Sequence, residues 1–256
     1  ADVSNSGGKP IKEQGHGTKS FGMADENAVN GRDVFNSTLV LDCACGTGAL
    51  TCMLAERGYD MTGLDISQEM LYTAMLSAQD KELDILWLCQ DMRRMDMYGS
   101  FAAILCMTDV INHITSEKQL DSFLRRVYNF TDEGGLLIFD FLNGNYFRNR
   151  VGNNVFFEDN DDGSCLWTSR YAAKSGICTY DIVIYERAAS GAGELFTRTD
   201  ESVREKSWEA ETVTAMLRKN GFEICGLYDN MSFRRYRGNS ERIYVAARKP
   251  VRSLKT

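Results

Sequence analysis

The sequence predicts an α/β fold: a mostly parallel sheet with helices on both faces, carrying an inserted antiparallel β meander late in the chain. Three observations predict it. Leu39 to Asp65 reads as strand, glycine turn, helix, strand. Strand-like and helix-like stretches keep alternating as far as Asp140. Over 151–206 the pattern changes to short β-prone runs separated by polar, glycine-bearing turns. At 256 residues, 43% hydrophobic and 25% charged, the chain has the make-up of an ordinary globular protein that can bury a full core without disulfides or a metal.

Leu39–Val40–Leu41 carries no charge, as suits a strand covered on both faces. Gly46 and Gly48 supply a turn where backbone can approach a ligand. Ala49 to Arg57 has helical spacing, with Leu50, Met53 and Leu54 on one side. Gly58 stops it, and Met61 to Leu64 is the second strand, ending at Asp65. Ser67 is placed to cap a helix reaching Gln79. Ile85 to Leu88 is the third strand, ended by Cys89–Gln90–Asp91–Met92–Arg93. Phe101 to Met107 is the fourth, running into Thr108–Ile114. Ser116, with Gln119 as its box partner, opens a helix whose face is Leu120, Phe123, Leu124 and Val127. Asp132–Glu133–Gly134–Gly135 then turns into a fifth strand, Leu136 to Phe139, ending at Asp140.

The meander follows as Val155–Phe157, Cys165–Tyr171, Ile177–Tyr185 and Glu194–Val203. Tyr180, Ile182 and Ile184 alternate with Thr179, Asp181 and Val183, so one face is apolar and is expected to pack over a ligand cleft or onto a second subunit. Glu209 to Arg218 is the last helix, striped by Val213, Met216 and Leu217 and ended by Asn220–Gly221. Phe222–Tyr228 and Glu241–Ala247 are the last strands. Ala1 to Asn36 is polar, with a short helical piece over Ala24–Val34, and Arg248 to Lys255 is a basic tail. The organisation is therefore a flexible or lid segment (1–36), a ligand-binding domain (37–150 with 207–249) and a β insertion (151–206).

Which ligand the glycine turn holds is narrowed by two departures from the dinucleotide fingerprint. The third small position is Thr51, and Asp42 stands at the mouth of the turn, where it would repel a pyrophosphate. A carboxylate there suits a ligand with an ammonium or sulfonium charge, and Asp65 has the spacing of an acid that binds a ribose diol. Together these describe S-adenosylmethionine better than NAD.

The run Asp42–Cys43–Ala44–Cys45–Gly46–Thr47–Gly48, followed by Gly63–Leu64–Asp65–Ile66–Ser67–Gln68–Glu69–Met70–Leu71, resembles the class I S-adenosylmethionine-dependent methyltransferases. The Gly134–Gly135 turn leading to Asp140 is similar to theirs as well. The resemblance implies a Rossmann-like methyltransferase fold whose seven-stranded sheet is completed by one antiparallel member. It implies Asp91 as acceptor from the adenine amino group and Met92 as packing on the ring; position alone also allows Asp91 to be a solvated loop acid. The candidate cofactor-binding set is Asp42, Ala44, Cys45, Gly46, Thr47, Gly48, Asp65, Ile66, Met70, Asp91, Met92, Cys106 and Met107. The family's aromatic lid pattern has no counterpart in 1–36. The insertion and the Asn112–His113 loop loosely resemble glycine and sarcosine N-methyltransferases.

Methyl transfer asks the enzyme to hold a nucleophile close and dry, and to remove a proton where the nucleophile carries one. Asp109, Asn112 and His113 follow the fourth strand, at the sheet end where α/β proteins bind ligands. His113 is the first candidate base and Asp109 the second; His113 is equally readable as a residue starting a helix and bonded to backbone. Phe233–Arg234–Arg235–Tyr236–Arg237 either captures an acidic substrate or forms a solvated loop. The aromatics Tyr146, Phe147, Phe156, Phe157 and Trp167 read as packing. The expected partner is a small-molecule methyl acceptor bound through N or O, on a monomer or homodimer. A net charge of −7 argues against a tRNA or rRNA substrate. A cofactor-binding regulator without catalysis is the remaining alternative. Eight cysteines without a CxxC pair, and only two histidines, predict no metal site. No membrane span or signal peptide is read, so the expected location is cytoplasmic.

Overall fold

A computed structural model describes residues 39–188, 195–230 and 232–252. The N-terminal segment, its Ala24–Val34 piece and the end of the basic tail lie outside the described residues. The first sheet has seven strands in the order β10-β11-β5-β4-β1-β2-β3. Strands β1 (Leu39–Cys43), β2 (Asp60–Asp65), β3 (Leu86–Cys89), β4 (Phe101–Cys106) and β5 (Thr131–Leu142) are parallel. β11 (Arg242–Arg248) runs antiparallel to both β5 and β10 (Glu223–Asp229), as expected. Chain order reverses between β1 and β4, which pair at Asp42 and Leu105, and the carboxyl ends on either side of that reversal frame a crevice.

Helices cover both faces. On one, Leu50 and Leu54 of α1 (Ala49–Ala55) pack toward Val40, Met61 and Leu105. On the other, α3 (Glu117–Phe130) and α5 (Ala210–Lys219) bury Leu120, Phe123, Leu124, Val127, Val213 and Leu217. The caps fall where expected: Ser67 Oγ accepts from Met70 N at the start of α2 (Gln68–Asp80), and Ser116 Oγ from Gln119 N. Helix α1 ends two residues before the expected Arg57, because Arg57 N and Gly58 N reach back only three residues, to Leu54 O and Ala55 O, and tighten the last turn.

Three stretches differ from the sequence pattern. Asp132–Gly135, expected as a turn, is a bulge inside β5. Thr131 pairs with Phe101 and Leu136 with Ala103, and Gly134 N and Gly135 O bond to Lys249. After β5, the short helix α4 (Gly144–Tyr146) continues into a π-helical turn, Phe147–Val151, that no local signal announces. The meander strands are also longer than their apolar cores: β6 (Val155–Asn160), β7 (Gly163–Ala172), β8 (Ile177–Arg187) and β9 (Phe196–Lys206) form one antiparallel sheet in that order. The π-helical turn and this second sheet share a small core of Leu142, Phe147, Val151, Cys178 and Tyr180. No helix among the described residues is long and apolar enough to cross a membrane.

Candidate active site

The glycine turn is built on left-handed backbone, which residues other than glycine rarely adopt. Ala44, Gly46 and Gly48 have φ of 61°, 55° and 74°. A Cβ on Gly48 would lie 2.6 Å from the Trp87 ring and 2.8 Å from Ala74 Cβ, so space as well as conformation demands glycine there. Asp65 at the end of β2 ties the turn down: Gly46 N donates to its Oδ2 at 2.8 Å and Ser67 N to its Oδ1 at 2.9 Å.

Asp42 lies behind the turn, buried, its Oδ2 accepting from Thr51 Oγ1 at 2.6 Å. Thr51 therefore departs from the fingerprint because it is the hydrogen-bond partner that buried Asp42 needs. Burial pushes the Asp42 carboxyl up from its ordinary value, the Thr51 bond opposes this, and the charge of Asp65 adds to it. Burial and the same two carboxylates push the Cys45 thiol up to about 12, so it stays protonated and unreactive.

A cleft of about 430 Å³ opens at the carboxyl ends of β1 to β4, within the range of roughly 300–1,000 Å³ usual for small-molecule sites. Of the sequence-derived candidates, Ala44, Asp65, Ile66, Asp91, Met92 and His113 line it, together with Leu64, Gln90, Arg93, Thr108 and Val110. Asp42, Cys45, Gly46, Thr47, Gly48, Met70, Cys106, Met107 and Asp109 are not among its lining residues. Cys106 is fully buried, and its bond to Cys43, with burial, holds its thiol protonated. Asp91 is a committed acceptor: Arg93 contacts it through its backbone N, Nε and Nη2, at 2.7–3.1 Å. These bonds, the side-chain one first, hold its carboxyl below the usual range.

The loop after β4 is strained and pinned. Thr108 and Asp109 both have left-handed φ, 63° and 57°, which is rare for a β-branched residue. Asp140, at the end of neighbouring β5, holds both, its Oδ1 accepting from Thr108 N at 2.6 Å and its Oδ2 from Asp109 N at 3.1 Å. Arg242 of β11 then bridges Asp140 and Asp109, the latter at 2.8 Å. Asn112, grouped with His113 in the sequence reading, is fully buried and structural. Its amide donates to Leu142 O and Lys206 O, and its Oδ1 accepts from Leu142 N. That bond set joins β5, β9 and the loop, and delivers His113 to the second sheet, where its Nε2 lies 3.8 Å from Glu205 Oε1.

Glu205 belongs to a second cavity, of about 360 Å³, lined by Asp109, Leu142, Tyr146, Cys165, Trp167, Tyr180, Ile182, Val203 and Glu205. Tyr180 and Ile182 are thus on the apolar face read from the alternation. Tyr180 OH donates to Glu205 Oε2 at 3.2 Å. Burial holds the Glu205 carboxyl above the ordinary glutamate range; His113 opposes this and Asp109 adds to it. The packing reading of the aromatics fits Phe147, which is buried and stacked on Tyr171, and Phe156, stacked on Trp167 at 4.0 Å. Phe157 is exposed, while Tyr146 and Trp167 face this cavity.

Residues 40–135 match the family model of a methyltransferase domain. That stretch is a methyltransferase domain, and the chain as a whole is similar to an S-adenosylmethionine-dependent methyltransferase of known structure. The methyl donor of this chain is S-adenosylmethionine. A methyltransferase of this type from Clostridium acetobutylicum ATCC 824 has a solved structure that superposes with a TM-score of 0.75 at 28% identity, over 83% of this chain and 84% of that one. YqeM of Bacillus subtilis (strain 168), itself a methyltransferase by assignment only, is 27% identical over 82% of this chain and 83% of its own length. A glycine/sarcosine N-methyltransferase of Halorhodospira halochloris is 31% identical over a shorter stretch, 41% of this chain and 40% of that protein. The sugar N-methyltransferase KedS8 of Streptoalloteichus sp. ATCC 53650 shares the fold, with a TM-score of 0.63 at 19% identity over 84% of this methyltransferase and 80% of KedS8.

Proposed function

We propose that this methyltransferase alkylates a nitrogen or oxygen atom of a small molecule seated in the second cavity, with its methyl donor in the first. The observation that carries the reading is the His113–Glu205 contact. One partner lines each cavity, and they lie 3.8 Å apart, so donor and acceptor would meet across a pair of proton-accepting side chains.

The residues of the first cleft fit the donor. Each oxygen of Asp65 accepts one backbone N–H and keeps acceptor capacity for a ribose hydroxyl. Leu64, Ile66, Met92 and Val110 offer apolar surface to an adenine ring. Asp91 can receive the adenine amino group by giving up one of its bonds to Arg93. The bound donor supplies a methyl group on a sulfonium, which leaves sulfur neutral once the methyl is transferred.

What the chain supplies is position and proton removal. His113, at the meeting of the cavities, takes the acceptor proton, and its half-exposed ring can pass it to solvent. Asp109, held between Arg242 and Asp140, keeps the loop in its strained form. The insertion 151–206 serves the acceptor through the inner face of β7, β8 and β9. The N-methyltransferase relatives support a small acceptor, and the net charge of −7 weighs against RNA.

The test is label transfer from S-adenosylmethionine to a panel of amines and alcohols, with bulk tRNA alongside. His113→Ala is expected to lower turnover about tenfold or more, toward the range typical of losing a general base, while adenosylhomocysteine affinity holds. An unchanged rate removes His113 from the mechanism, and label appearing in tRNA alone removes the small-molecule reading.

A further inference from the structure

We infer that the second cavity selects an amine on an apolar or aromatic body, held as its ammonium by Glu205 and freed of its proton by the His113–Glu205 pair. This rests on the placement of the acceptor in that cavity.

Two carboxylates line the cavity, and they are not equivalent. Asp109 is matched by the Arg242 guanidinium at 2.8 Å. Glu205 has no such match among the described residues. Its Oε2 accepts only the neutral Tyr180 hydroxyl, and its Oε1 faces His113 Nε2 at 3.8 Å, beyond hydrogen-bond length. An ammonium nitrogen arriving between His113 and Tyr180 would complete that carboxylate with a charge-assisted bond, which a hydroxyl cannot match and a carboxylate would oppose. The rest of the lining agrees. The rings of Trp167 and Tyr180, 5.7 Å apart, and of Tyr146 also line the cavity, and an aromatic face attracts a cation. Leu142, Ile182 and Val203 offer apolar surface to the body that carries it. Burial favours the protonated form of Glu205, so the residue that attracts the ammonium is also suited to receive its proton.

The step balances. The ammonium gives one proton to the His113–Glu205 pair. The freed lone pair on nitrogen forms the bond to the methyl carbon, the carbon–sulfur bond breaks with its electrons staying on sulfur, and the N-methylated product leaves as an ammonium.

The experiment is calorimetry on the full chain saturated with S-adenosylhomocysteine, with 2-phenylethylamine, 2-phenylethanol and phenylacetate as probes sharing one apolar body. The amine is expected to bind about tenfold tighter than the alcohol or better, with phenylacetate weakest. E205Q should erase that preference and E205D restore part of it, each keeping adenosylhomocysteine affinity within about twofold of the starting protein. Equal binding of amine and alcohol, no amine binding at about 10 mM, or a preference that survives in E205Q overturns the inference. The comparison of the three probes on the unaltered protein decides it even if a variant fails to fold. Failure of adenosylhomocysteine to bind the unaltered protein would instead remove the donor-cleft assignment beneath it.

Discussion

Asp140→Asn is expected to lower folding stability by about 3 kcal/mol and to abolish turnover. Asp140 is fully buried and has three partners at once. It accepts from the backbone of Thr108 and of Asp109, and it pairs with Arg242. Burial pushes its carboxyl up, and the guanidinium and the two N–H groups pull it back toward the charged form. An asparagine keeps the shape but turns one acceptor into a donor. One of the two N–H groups, or Arg242, would then face an NH₂ group. Arg242 keeps Asp109 and is 28% exposed, so the loss falls at the low end of the roughly 3–5 kcal/mol for breaking a buried pair. The functional loss follows from the loop: Thr108 and Asp109 hold left-handed conformations costing about 1–3 kcal/mol each, and they relax once the clamp goes. His113, four residues on from Asp109, moves with them. Urea unfolding read by circular dichroism checks the stability. A difference under about 1 kcal/mol would mean that the clamp contributes little.

Asp65→Ala is expected to weaken adenosylhomocysteine binding about a hundredfold. The carboxylate does two things that alanine cannot. It fixes the glycine turn through Gly46 N and the start of α2 through Ser67 N, and its remaining acceptor capacity faces the cleft. Two charge-assisted hydrogen bonds lost to a ribose diol, at about 1.5 kcal/mol or more each, give that factor before any loosening of the turn is counted. Calorimetry on folded variant protein reads it directly. An affinity within about threefold of the starting protein would show that the ribose is held elsewhere.

The features legible in the sequence were those whose cause is local. The uncharged start of β1 at Leu39–Leu41, the glycine turn, the Ser67 and Ser116 caps and the α3 stripe each follow from a few neighbouring residues, and each stands where the pattern put it. Asp132–Gly135 misled because a bulge and a turn use the same residues; bonding to Lys249, just past the distant strand β11, decides between them. The π-helical turn has no sequence signature, and tertiary packing around buried Phe147 holds it.

At the site, Asp65 is legible from its spacing after the glycine turn and Asp91 from the family resemblance, and both line the cleft. Glu205 is not legible, because it lies in a strand whose neighbours are almost all polar and exposed, and nothing local marks it as facing a cavity. Nor is the clamp, whose members Asp109 and Arg242 are 133 positions apart. Asp42, expected to meet a cationic ligand at the mouth of the turn, is buried away from the cleft lining and bonds Thr51, the very residue that broke the dinucleotide pattern.

A crystal structure with S-adenosylhomocysteine bound tests the central claim most directly. The expected result places the ribose hydroxyls on Asp65, the adenine between Ile66 and Met92, and the sulfur at the end of the cleft next to His113. Ligand density outside this cleft, or a sulfur pointing away from His113 and the second cavity, would contradict it.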